Sequence, residues 1–122
     1  MDRRELLKTA LAGTVALGFP SLLRGQAGNN GVNRLSDKIA ILDGGGANVV
    51  AFSATDGLVL VDSGAPKNGD KLLAALKTFA PNAKVNTLFN THHHLDQTGN
   101  NEVFAASGAR IIAHDRTRQW MS

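Results

Sequence analysis

The chain has 122 residues, no cysteine and a formal net charge of +3, which points to one small domain and excludes a disulfide framework. The charge is lopsided: Arg3, Arg4, Lys8 and Arg24 stand against Asp2 and Glu5 before Gly28, and the remainder carries nine basic and eight acidic side chains. That near-neutral remainder has no basic stripe for a phosphate backbone, so no nucleic-acid partner is expected.

Residues 1–27 read as an export signal. Arg3-Arg4-Glu5-Leu6-Leu7-Lys8 precedes an apolar stretch over 9–19, and Gly25-Gln26-Ala27 follows as a small-x-small cleavage site. The segment resembles a twin-arginine signal, with Asp2 where Ser or Thr is usual and Leu6 where Phe is commonest. The apolar run is short for a bilayer span; the competing reading is an amphipathic or anchoring amino-terminal helix. Cleavage after Ala27 implies a periplasmic or secreted protein with no membrane attachment once the signal is gone. Residues 28–36, opening on Gly28-Asn29-Asn30-Gly31, read as a flexible linker, and 37–122 as the folded domain.

Within that domain, residues 38–42 read as a first strand, Asp43-Gly44-Gly45-Gly46 as a turn and 48–54 as a second strand. Thr55-Asp56-Gly57 is a hairpin signal. Leu58-Val59-Leu60-Val61 is a continuous apolar run expected to be buried on both faces, ending at Asp62-Ser63-Gly64. From Asn68 the period changes: Leu72, Leu73, Leu76 and Phe79 fall at helical spacing, with Asp70 near the start and Pro81 past the end. Residues 85–90 return to strand, 100–107 read as a short helix stopped by Gly108, and 109–113 as another strand. Asp115 is placed to cap a last helix running from Arg116 through Trp120. Strands alternating with helices predict an α/β layer with ligands at strand ends.

The richest chemistry lies at the end of the strand over 85–90, in Thr91-His92-His93-His94-Leu95-Asp96-Gln97-Thr98-Gly99. In an extended-to-loop segment His92 and His94 project to the same side and His93 to the other, so two imidazoles reach one ion while Asp96 is offset towards a second position. Imidazole and carboxylate suit zinc and other borderline divalent ions. The competing reading is a polar, His-rich loop that binds metal only adventitiously.

The Gly-rich turn before Asn48-Val49-Val50, the strand ending Leu60-Val61-Asp62-Ser63-Gly64, the helix after it, and Leu88-Phe89-Asn90-Thr91-His92 leading into the histidines together resemble the amino-terminal half of a metallo-β-lactamase superfamily hydrolase. That family carries His-x-His-x-Asp-His in an αββα sandwich, and the likeness covers residues 32–121. It implies His92 and His94 as ligands of a first zinc, and Asp96 as ligand of a second. Asp62 becomes either a residue orienting the site by hydrogen bonding or a solvated strand-end carboxylate. His93 falls at a variable position, as bystander or pocket wall, and His114 is expected to be structural or exposed rather than a ligand. Gln97 stands where the family has its second-metal histidine, and an amide oxygen is a poorer zinc ligand than an imidazole; one or two ions are therefore expected.

The resemblance implies a metal-dependent hydrolase in which hydroxide formed at the metal attacks a β-lactam, lactone, ester or thioester, with Asp96 as the catalytic residue that orients it or takes its proton. The partner is a small-molecule substrate. Because the family draws its remaining ligands from the later half of the fold, the 122-residue chain is expected to be truncated and inactive alone. The second function reading, from a different class, is an exported metal-binding or interaction module without catalysis.

Overall fold

The structure is a computed structural model and describes residues 31–122. The expected export signal and the first residues of the linker lie outside the described residues. Between residues 39 and 61 burial alternates from one residue to the next, as in half-buried strands whose neighbouring side chains face opposite ways. They form β2 (Ile39–Asp43), β3 (Asn48–Ala54) and β4 (Gly57–Val61), an antiparallel meander with Ala40 opposite Ala51 and Ala51 opposite Leu60. Before it lies β1 (Val32–Arg34), paired antiparallel with β2. This strand corrects the linker reading at residues 32–34. Val32 is buried opposite Leu42, and the Arg34 guanidinium donates to the Phe79 carbonyl at 2.9 Å while lying over the Phe79 ring.

The chain then changes direction. From β4 it crosses through α1 (Gly69–Phe79) to β5 (Val85–Asn90), and from β5 through α2 (Leu95–Thr98) and α3 (Asn101–Ala106) to β6 (Arg110–Ala113). Both new strands pair in parallel, which completes a six-stranded sheet in the order β1-β2-β3-β4-β5-β6. Parallel crossovers are right-handed almost without exception, so two in succession put their helices on one face, and α1 and α3 do share one core with the sheet. A final helix, α4 (Asp115–Met121), follows β6.

The core lies between that sheet face and the helices. Ala40, Leu42, Val49, Ala51, Leu58, Leu60 and Leu88 of the sheet meet Leu72, Ala75, Leu76 and Phe79 of α1 and Phe104 of α3, all buried. Each such leucine contributes roughly 1.5–3 kcal/mol by leaving water, which makes this layer the rigid base for the loops above it. Two expectations are corrected here. Leu73 is exposed and Ala75 takes its place in the buried stripe of α1, because a helical face repeats nearer 3.6 residues than one. The run 58–61 is buried on one face only: Leu58 and Leu60 are enclosed, Val59 and Val61 half-buried. On that second face Phe52 is 39% and Phe89 42% exposed. One helix-covered face and one apolar uncovered face match half of a four-layer sandwich, the fold class expected from the sequence.

The parallel strands β4, β5 and β6 end at the same edge of the sheet, so Asp62, the histidine cluster and α4 emerge together there.

Candidate metal centre

Three anchors hold the loop that follows β5. The first is Asp62, buried at the end of β4 with φ +66°, a left-handed conformation that Asp and Asn tolerate better than most residues. Its Oδ1 accepts the Thr91 backbone N–H at 2.8 Å and its Oδ2 the Thr91 hydroxyl, also at 2.8 Å. Of the two readings of Asp62, the geometry is that of the orienting carboxylate.

The second anchor is a network of neutral polar groups beneath the site. Ser63 donates its backbone N–H to the Gln97 carbonyl at 2.7 Å and its hydroxyl to Asn101 Oδ1 at 2.9 Å. Asn101 Nδ2 donates to Asn90 Oδ1 at 2.7 Å, and Asn100 Nδ2 to the Ser63 and Ala65 carbonyls at 2.7 and 2.9 Å. Asn100 thus stands at the start of α3 without capping it; its side chain is spent on tying α3 to the end of β4. Each satisfied pair is worth about 1 kcal/mol net, and breaking one leaves a buried partner exposed to the larger desolvation cost. The sequence reading places Asn90 and Asn100 at element boundaries and assigns Asn101 no role. Three asparagines within twelve residues of a histidine cluster were the available signal.

The third anchor is Gly99. Its amide donates to the Gly64 carbonyl at 2.9 Å, and a Cβ there would run into the Ala65–Pro66 backbone. Only glycine allows this approach of the two loops.

So held, the backbone leaves β5, turns at Thr91 and enters α2 with His94 as its N-cap. The His94 carbonyl accepts from Gln97 N at 2.9 Å and Thr98 N at 3.1 Å. His92, His94 and Asp96 each present one ligating atom, all within 4.8 Å of one another. The His92 and His94 rings meet edge-on with centroids 4.7 Å apart. Strict alternation fails at His93. Its ring stands 4.9 Å from that of His94 and stacks on Trp120 at 5.6 Å and 27°, because the turn into α2 ends the two-residue period. Of the bystander and pocket-wall readings, the geometry is that of a wall.

His92 is further constrained. Thr91 Oγ1 lies 2.8 Å from His92 Nδ1. The hydroxyl has one proton and gives it to Asp62, so towards the imidazole it accepts; Nδ1 then carries the proton and Nε2 keeps its lone pair for a cation.

The donor set fits a divalent ion. Two donors on one tetrahedral zinc, with bonds near 2 Å, stand about 3.3 Å apart, so a group spanning 4.8 Å closes on one ion with small rotations or receives a pair about 3.5–4 Å apart. Next in the chain after Asp96, Gln97 Oε1 is buried with no hydrogen-bond partner among the described residues, and an unpaired buried carbonyl oxygen is costly unless a cation or donor meets it. His114 is elsewhere in role. It is exposed and its Nδ1 accepts the Arg116 N–H at 3.2 Å, taking the cap of α4 that the sequence assigned to Asp115.

The family model of the "Metallo-beta-lactamase superfamily" matches residues 42–119. Metallo-beta-lactamase domain-containing protein 1 of Rattus norvegicus is 37% identical over 105 residues, covering 84% of this chain.

The chain belongs to the metallo-beta-lactamase superfamily.

Solved members share its fold. BJP-1, a subclass B3 metallo-beta-lactamase of Bradyrhizobium japonicum, superposes with a TM-score of 0.63 at 26% identity over 73% of this chain and 34% of its own. A Cronobacter sakazakii metallo-beta-lactamase described by its HARLDQ motif gives a TM-score of 0.65 at 19% identity, over 81% of this chain and 37% of its own. The chain spans 38% or less of the length of these relatives.

Proposed function

We propose that this chain carries the first ligand set of a metal-dependent hydrolase, with zinc as the ion and a β-lactam, lactone, ester or thioester as substrate. The observation that carries the reading is the convergence of His92, His94 and Asp96, with ligating atoms within 4.8 Å, at the carboxyl end of a parallel strand. A divalent ion held there supplies a Lewis acid and acidifies a water. His92 offers Nε2, fixed in that tautomer by Thr91 and Asp62. His94 contributes its imidazole from the N-cap of α2, where backbone bonds to Gln97 and Thr98 limit its movement. Asp96, exposed in the first turn of α2, is the group that orients the attacking water and takes its proton.

The test is hydrolysis of one chromogenic representative of each of the four substrate classes, before and after chelation. Turnover of at least one class, abolished by chelator and restored by zinc, is the expected result. Bound zinc with no turnover of any class would favour the second reading, a metal-binding module. That reading has an observation of its own: among the described residues three His or acidic groups converge, enough to hold one ion but fewer than a two-ion hydrolytic centre needs.

Gln97 decides how many ions are held. The HARLDQ motif of the C. sakazakii enzyme has the same His, Leu, Asp and Gln order as His92, Leu95, Asp96 and Gln97 here, so glutamine after the aspartate is compatible with this fold. An amide oxygen nevertheless binds zinc less well than imidazole nitrogen. The variant Gln97→His is expected to retain a second ion about 10- to 100-fold more tightly, measured as zinc content after dialysis against a fixed chelator. Equal content in both proteins would show that the amide already serves as an adequate ligand.

A further inference from the structure

Beside the ligating group lies an open hollow of about 810 Å³ whose lining includes Pro66, His93, Leu95, Trp120 and Met121. The hydrolase reading uses none of these five. Two of them stand largely in water: Leu95 is 71% and Trp120 73% exposed. Helix α4 buries no residue, so its aromatic side chain is not there to fill the core. Instead the indole stacks on His93, and His93 in turn meets His94 edge-on with centroids 4.9 Å apart. One indole face is thus fixed against a residue that sits between two ligating histidines, and the remaining surface opens into the hollow.

Binding hollows combine apolar walls with a few convergent polar groups. Here the polar groups of the lining are His93, His94, Thr98, Asn101 and Glu102, and the apolar wall is Trp120 with Leu95 and Met121. An indole loses little freedom when it stacks, and ring pairs prefer offset or edge contacts at centroid separations of 4.5–7 Å; a flat ring entering from the open side meets a surface already oriented for it.

We propose that Trp120 is a specificity-determining residue: the hollow receives a flat, apolar ring carried next to the bond that is cleaved, held against the free surface of the indole. This rests on the hydrolase reading and names the substrate class within it. An aliphatic chain contacts the same wall with less area and no ring-to-ring contact.

The experiment compares benzohydroxamate with acetohydroxamate, two zinc-binding probes that differ only in ring against methyl, on the zinc-loaded protein by calorimetry. Benzohydroxamate is expected to bind about 3- to 10-fold more tightly, the range set by one aromatic contact. It also perturbs the emission of Trp120, the chain's single tryptophan. Trp120→Ala should remove the preference while leaving zinc affinity unchanged, and Trp120→Phe should restore most of it. Zinc bound with equal affinity for the two probes, or a preference that survives Trp120→Ala, overturns the proposal and leaves the metal reading standing. A protein that binds no zinc overturns both.

Discussion

Replacing His92 or His94 with alanine is expected to weaken zinc binding by at least about 100-fold, whereas His93→Ala leaves it within a few-fold of the parent. Changes to residues that merely orient a ligand commonly cost about 10- to 100-fold in metal affinity, so loss of a ligating imidazole sets a larger expectation. The contrast between neighbours is the informative part. Three consecutive histidines form an adventitious cluster in any flexible loop, and in that case each removal weakens binding alike. Here Thr91 fixes the His92 ring and the α2 backbone fixes His94, while His93 is engaged with Trp120. Competition against a chromophoric chelator separates the cases. Equal losses from all three variants would return the cluster to the status of an unstructured metal-binding tract.

The convergence of His92, His94 and Asp96 was legible in the sequence because their chemistry is concentrated: few arrangements put three imidazoles and a carboxylate in five residues after an apolar strand. The strands and α1 were legible for the same reason, their periods being written in side-chain hydrophobicity. What failed was what depends on neighbours far along the chain. Val32–Arg34 is three residues long and carries no period; it is a strand because Leu42 and Phe79 give it partners. Val59 and Val61 are chemically like Leu58 and Leu60, and only the one-sided placement of the helices separates an open face from a buried one. His93 and Trp120 lie 27 positions apart, and their stack arises from two parallel strands ending at one edge. The asparagine network was invisible because Asn favours turns and helix starts by default, and that default accounted for each asparagine singly.

The change Asp62→Asn carries the most specific expectation. Asparagine tolerates the left-handed backbone at this position, and its amide oxygen must face the Thr91 backbone N–H, since an amide nitrogen accepts nothing. The amide nitrogen then faces the Thr91 hydroxyl and donates to it. That hydroxyl, no longer needed as donor to residue 62, turns its proton towards His92 Nδ1. The proton of the imidazole is displaced to Nε2, the atom that otherwise offers its lone pair to the ion. Restoring the binding tautomer costs a hydrogen bond of about 1–3 kcal/mol, or roughly 10- to 100-fold in zinc affinity. Nitrogen-15 spectra of the histidine rings should show the tautomer reversed in the metal-free variant, and chelator competition should show the affinity loss, with the unfolding midpoint in urea reporting separately on stability. An unchanged affinity with a reversed tautomer would mean that His92 does not bind through Nε2. An unchanged tautomer would mean that Thr91 does not pass the identity of residue 62 on to the imidazole, since the only path from that buried carboxylate to the ring runs through one hydroxyl proton.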